Sequence, residues 1–190
     1  MKSFVAWAGV LVLILCVSAA SAEEVESLAD GFADIHWGAG PQTVSGLSKL
    51  YSKGGVDYYA RPGQMHAIGD FEVTRVVYGF YQGQFFASYM ELENPEVFAD
   101  IRRTLKQRYG DAETSFSTKE NLIVHKWKFK DVKIKLKSYD EADRMKLGFY
   151  YTPISNKVNE EKMESDNDKA LELFPIRKGE TPNALPVLRF

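Results

Sequence analysis

Ile123-Val124-His125-Lys126-Trp127-Lys128-Phe129-Lys130-Asp131-Val132-Lys133-Ile134-Lys135-Leu136-Lys137 is the stretch that decides the fold. Ile123, His125, Trp127 and Phe129 alternate with Val124, Lys126 and Lys128. Val132, Ile134 and Leu136 alternate with Lys133, Lys135 and Lys137. A period of two places each set on its own face of a pleated strand. If Lys130-Asp131 is a two-residue turn, Lys128 faces Lys133 and Lys126 faces Lys135. Residues 144–151 repeat the pattern, with Met145, Leu147, Phe149 and Tyr151 against Arg144, Lys146, Gly148 and Tyr150. These strands predict a sheet with one apolar face and one cationic face.

Working upstream, residues 71–81 and 84–92 read as a second hairpin turning at Gln82-Gly83, where glycine suits a positive φ. One face carries Val76, Tyr78 and Phe80 against Phe85, Ala87 and Tyr89. The other carries Val73, Val77, Phe86 and Met90. A hairpin apolar on both faces belongs at the centre of a sheet or under a second layer. Residues 56–61 and 65–68 read as shorter strands.

Two helices are expected. Over residues 95–109, Asn94 serves as N-cap, Pro95 opens the first turn, and Val97, Ile101, Leu105 and Tyr109 recur every four residues before Gly110. Over residues 41–52, Pro41 starts a weaker pattern in which Val44, Leu47 and Tyr51 share a face. Gly46 costs that helix about 1 kcal/mol relative to alanine. The expected fold is α+β: an antiparallel sheet of about six strands packed on the main helix at 95–109, with the short second helix at 41–52. Helix then strands, twice over, also suggests duplicated halves.

The chain begins with Lys2, an apolar run over residues 4–17, and Ala20-Ser21-Ala22 before Glu23-Glu24. That is the pattern of a secretory signal peptide cut after Ala22. A retained anchor is the alternative, since the run approaches the roughly 20 apolar residues a span needs. Ser18, Ser21 and the two glutamates argue against it. A lipoprotein would use Cys16, but Leu15 stands where a small residue is wanted. The expected organisation is signal peptide 1–22, one α+β domain 23–152, and a polar, partly acidic tail 153–190 punctuated by Pro175, Pro182 and Pro186.

Cleavage would remove Cys16, the only cysteine, and with it thiol chemistry and disulfides. It would also remove Lys2 and shift the formal charge from −2 to −3. The total argues for no charged partner; the distribution matters more. No Asn-x-Ser/Thr sequon occurs, and the leader suits a bacterial periplasm.

Gly31-Phe32 to Trp37-Gly38, then Tyr78-Gly79-Phe80-Tyr81-Gln82-Gly83-Gln84-Phe85-Phe86, then Arg108-Tyr109-Gly110, resemble a group of small uncharacterised exported bacterial proteins. In element order the chain is also similar to the small lipoprotein module of outer-membrane β-barrel assembly and to β-lactamase-inhibitor-like domains. The resemblance spans roughly residues 31–152 and implies helices on an antiparallel sheet working by protein contact. It carries no functional residue, and the absence of a lipidation cysteine departs from the lipoproteins.

Lys126, Lys128, Lys133, Lys135, Lys137 and Lys146 form the candidate site. The face is read in three ways: a solvated surface that discourages edge pairing, a site for an anionic envelope component or acidic partner protein, or a dock for Glu160, Glu161, Glu164, Asp166, Asp168 and Glu172 of the tail. Tyr58, Tyr59, Tyr78, Phe80, Phe85 and Tyr89 form an aromatic cluster, read as core or as the wall of a cavity between sheet and helix for a small apolar ligand. His36, His66 and His125 lack ligand spacing, so no metal is expected. No nucleophile, dinucleotide or zinc motif occurs. The expectation is a non-catalytic periplasmic binding or interaction module without cofactor. Nucleic acid is not an expected partner, and no membrane span is expected after cleavage. Carriage of an apolar ligand is the alternative.

Overall fold

The computed structural model describes residues 28–68, 71–92, 94–118, 121–139, 144–158, 169–170, 173 and 184–188. The expected signal peptide and the tail carboxylates Glu160, Glu161, Glu164, Asp166, Asp168 and Glu172 lie outside the described residues. In chain order, β1 (Gly31–Phe32) and β2 (Ile35–His36) make a minimal hairpin. They are followed by β3 (Ser48–Lys53), β4 (Val56–Ala60), β5 (Met65–Ile68), β6 (Phe71–Val73), β7 (Val76–Tyr81) and β8 (Gln84–Leu92). Helix α1 (Pro95–Tyr109) leads to β9 (Glu113–Ser117), β10 (Leu122–Phe129), β11 (Val132–Tyr139) and β12 (Arg144–Tyr151). The short α2 (Thr152–Ser155) and β13 (Ala184–Leu188) complete the described elements.

The protein is mostly β, which corrects the expectation of an α+β fold with about six strands. One antiparallel sheet holds eight strands in the order β3-β4-β7-β8-β12-β11-β10-β9, and a second holds β13-β5-β6. The expected helix at 41–52 does not form. Residues Pro41–Thr43 are a single 3-10 turn, Gly46 takes φ +75°, and Ser48–Lys53 is edge strand β3 paired with β4. Val44 and Leu47 pack toward one core while Tyr51 packs toward the other, so their spacing was not a helical face. Without that helix the duplicated halves disappear as well. Within this sheet the other unexpected strand, β9, is the opposite edge.

The remaining helix forms where its caps place it. The Asn94 side chain accepts the Glu96 amide at 2.7 Å, satisfying one of the amides a helix start leaves free. Gly110, at φ +82°, ends α1 with its amide donating to the Lys106 carbonyl at 2.9 Å. Ile101 and Leu105 are its fully buried residues.

Both sheet faces are apolar around β7 and β8. On the first face, α1, the β1–β2 hairpin and the small sheet cover Tyr78, Phe80, Phe85, Met90, Ile134 and Phe149. On the second, Val56, Tyr58, Phe86, Tyr89 and Tyr150 form a separate core with Ile154 of α2 and Ala170. A bulge divides the faces: Gly79 pairs with Ala87 and Phe80 with Phe85, leaving Phe86 as an extra residue in β8. Strict alternation put Tyr89 on the same face as Phe85; the bulge moves it to the other. The aromatic cluster expected from sequence is therefore two clusters, with Tyr58 and Tyr89 in one and Tyr78, Phe80 and Phe85 in the other. The stretch 71–81 also divides, because Thr74 and Arg75 carry the chain from the small sheet into the large one.

Candidate functional site

The β10–β11 turn is Lys130-Asp131, with Lys130 at φ +50° and Phe129 opposite Val132. That register sets Lys126 against Lys135 and Lys128 against Lys133. One strand further, Lys137 stands against Lys146. Trp127, Ile134, Leu136, Leu147 and Phe149 occupy the opposite face, in the core beneath α1. All six candidate lysines thus belong to the face away from the helix.

Burial divides them into two groups. Lys135 and Lys137 are 7% and 5% exposed. Lys126, Lys133 and Lys146 are half-buried, and Lys128 is exposed. Burying an ammonium is costly unless it is held. The Lys135 ammonium lies 5.2 Å from the Tyr150 ring centre and the Lys146 ammonium 5.1 Å from that of Tyr139. Gly148 makes the first contact possible, because a Cβ there would stand 2.8 Å from the Tyr150 ring. Glu91, opposite Lys146, binds Arg75 at 3.1 Å and Arg144 at 3.6 Å, so the inner end of the face carries its own counter-charge.

The outer end opens into a groove of about 540 Å³ where β10 runs past the end of β9. Tyr109, Asp111, Glu113, Lys126, Trp127, Lys128, Lys133, Thr152 and Asn156 line it. Two tethers fix its walls. Trp127 Nε1 donates to the Gly110 carbonyl at 2.9 Å, tying β10 to the end of α1. The Thr152 amide and hydroxyl both donate to the Asp131 carbonyl, at 2.8 and 2.9 Å, tying α2 to the β10–β11 turn. Asp111, a lining residue, pairs at 2.5 Å with Lys106, which does not line the groove, and Glu113 stands 4.0 Å from Lys126. Burial raises the Tyr109 pKa, with Arg108 acting in the opposite direction. Three ammonium groups, two carboxylates at the rim, an aromatic hydroxyl and two short polar side chains therefore meet in one recess, with lysines in excess.

A second polar cluster, which no sequence spacing marks, runs inward from the exposed Asp34 through Arg61 to the buried His66 and Tyr78. Arg61, at the end of β4, donates from one nitrogen to both Asp34 oxygens at 2.8 and 2.9 Å. The Tyr78 hydroxyl lies 2.7 Å from His66 Nε2, and Phe32 stacks on the His66 ring. Burial first, then the Arg61 charge, push the His66 pKa down to about 4, while Asp34 pulls the other way. Burial likewise drives the Tyr78 pKa above the usual phenol range. The remaining histidines sit apart: His36 is exposed, and His125 shares a 2.9 Å hydrogen bond with Thr114. Burial and then Arg102 lower the His125 pKa. Among the described residues no group of three or more His, Cys, Asp or Glu side chains is placed to hold a metal ion.

No protein-family model, curated protein or solved structure matches the chain. Among the described residues, no helix is long and apolar enough to cross a membrane.

Proposed function

We propose that this is a non-catalytic, exported binding module that holds an anionic envelope component, and that the groove at the outer end of the lysine face is where the anion sits. The observation that carries this reading is the convergence of Lys126, Lys128 and Lys133 on one groove with anchored walls. Lys135, Lys137 and Lys146 lie inward of it and hold the cationic surface in shape. Opposed like charges weaken a strand pair. Lys128 opposite Lys133, and Lys126 opposite Lys135, are therefore a stability cost that binding an anion would offset.

The periplasmic address rests on the leader-like sequence of residues 1–22. The chemistry recognised is a phosphate or carboxylate group carried on a larger molecule, with Tyr109 and Asn156 of the lining beside its neutral parts. The alternative, carriage of a small apolar ligand between sheet and helix, has less support. Phe32, Tyr78, Phe80, Phe85 and Phe149 fill that layer with ring contacts between 5.3 and 6.3 Å.

Fluorescence anisotropy with labelled inorganic polyphosphate and labelled polygalacturonate tests the reading and separates phosphate from carboxylate. Binding at low salt that is lost in the triple variant Lys126→Gln/Lys128→Gln/Lys133→Gln supports the groove. Binding of neither polymer, or equal binding by the variant, contradicts it.

A further inference from the structure

The two edges of the eight-stranded sheet are not protected alike. β3 carries Lys49 and Lys53 and a bulge between Lys49 and Tyr51, features that keep an edge from pairing. β9 reads Glu-Thr-Ser-Phe-Ser, with no lysine, no proline and an unbroken ladder to β10. Glu113, Thr114, Ser115 and Phe116 are exposed. Phe116 is 59% exposed and its cross-strand partner Ile123 is 40% exposed. Only one other large hydrophobic residue among those described, Leu173, is comparably exposed. Among the described residues, an open strand edge thus coincides with an apolar patch.

We propose that β9 pairs antiparallel with β9 of a second copy of this chain, about a two-fold axis at Ser115. The strand is self-complementary in that register. Glu113 stands opposite the partner's Ser117, so no like charges meet. Thr114 stands opposite the partner's Phe116, and the two Phe116 rings lie on one diagonal of one face, within reach of each other. The axis runs through the sheet, so the faces of the two copies keep their sides. Both lysine faces then lie on one side of a continuous sheet. Their Lys126 positions are three strand spacings apart across the sheet and four residues apart along it, roughly 20 Å in all, and a polyanion could engage both grooves at once. A five-residue strand pair lies below the roughly 1,200 Å² of a standard interface. The dimer is therefore weak and concentration-dependent. It does not depend on what the groove binds.

The test uses the full chain with Cys16→Ser, which removes its only cysteine. Ser115→Cys places two thiols on the axis, where directly opposed residues are about 4.5–5.5 Å apart and within disulfide reach. Under mild oxidation it forms a covalent dimer faster than Glu113→Cys, whose opposite residue is Ser117. Sedimentation of the native chain shows a dimer that grows with concentration and that Phe116→Lys abolishes; circular dichroism checks that the variant folds. Crosslinking of Ser115→Cys no faster than of Glu113→Cys overturns the proposal. So does a native chain that stays monomeric, or a dimer that Phe116→Lys leaves intact.

Discussion

Lys128 and Lys133 stand directly opposite each other across the β10–β11 hairpin, and both line the groove at its end. A cross-strand pair of like charge is unfavourable, while opposite charges contribute roughly 0.2–1 kcal/mol. Lys128→Glu should therefore raise stability to urea by an amount of that order and at the same time remove polyanion binding. Loss of stability together with retained binding would show that the pair is only structural.

Binding through the groove should depend strongly on salt. A flexible polyanion neutralised at about three phosphates loses affinity with a log–log slope of roughly −2, or about 16-fold between 50 and 200 mM salt. Anisotropy titrations at these two concentrations measure it. An affinity indifferent to salt would point to contacts other than Lys126, Lys128 and Lys133.

His66 makes stability depend on acidity. Its folded pKa, about 4, lies below the ordinary value of 6.5, so the unfolded chain binds a proton that the folded chain does not. The contribution is complete above about pH 6.5 and is lost as pH falls toward 4. At pH 5 the loss relative to pH 7 is about 2 kcal/mol. Urea unfolding at the two pH values should show it, and His66→Phe should flatten the dependence while leaving Tyr78 without its partner. An unchanged slope in that variant would place the titration elsewhere.

Gly148→Ala should disturb the inner half of the lysine face. The added Cβ would stand 2.8–3.0 Å from Tyr150 ring atoms, forcing the ring away from Lys135. Overpacking of this kind costs about 1–3 kcal/mol. Thermal unfolding measures the cost. Polyanion binding should persist, because the groove lies beyond Lys135.

Some features of this protein are written locally and were legible. Asn94, Pro95 and Gly110 mark the helix ends, Gln82-Gly83 and Lys130-Asp131 mark hairpin turns, and the alternation in β10 to β12 puts the lysines on one face. Other features depend on partners distant in the chain. Val44, Leu47 and Tyr51 fit a helical spacing, yet Tyr51 stacks on Tyr58 at 4.8 Å across a strand pair. The extra residue Phe86 is invisible to a period of two and sends Tyr89 to the second core. β13, in the segment expected to be a tail, pairs in parallel with β5 more than a hundred residues earlier. The six lysines could be grouped from sequence, but which of them reach an open groove is set by where β9 stops.

The most direct test is an NMR titration of the full chain with inorganic polyphosphate, following side-chain and backbone shifts. Perturbations should centre on Lys126, Lys128, Lys133, Tyr109 and Asn156, with little change at Lys49 and Lys53 on the far edge. No perturbation at low salt, or shifts spread evenly over all lysines, would contradict a specific groove on the cationic face.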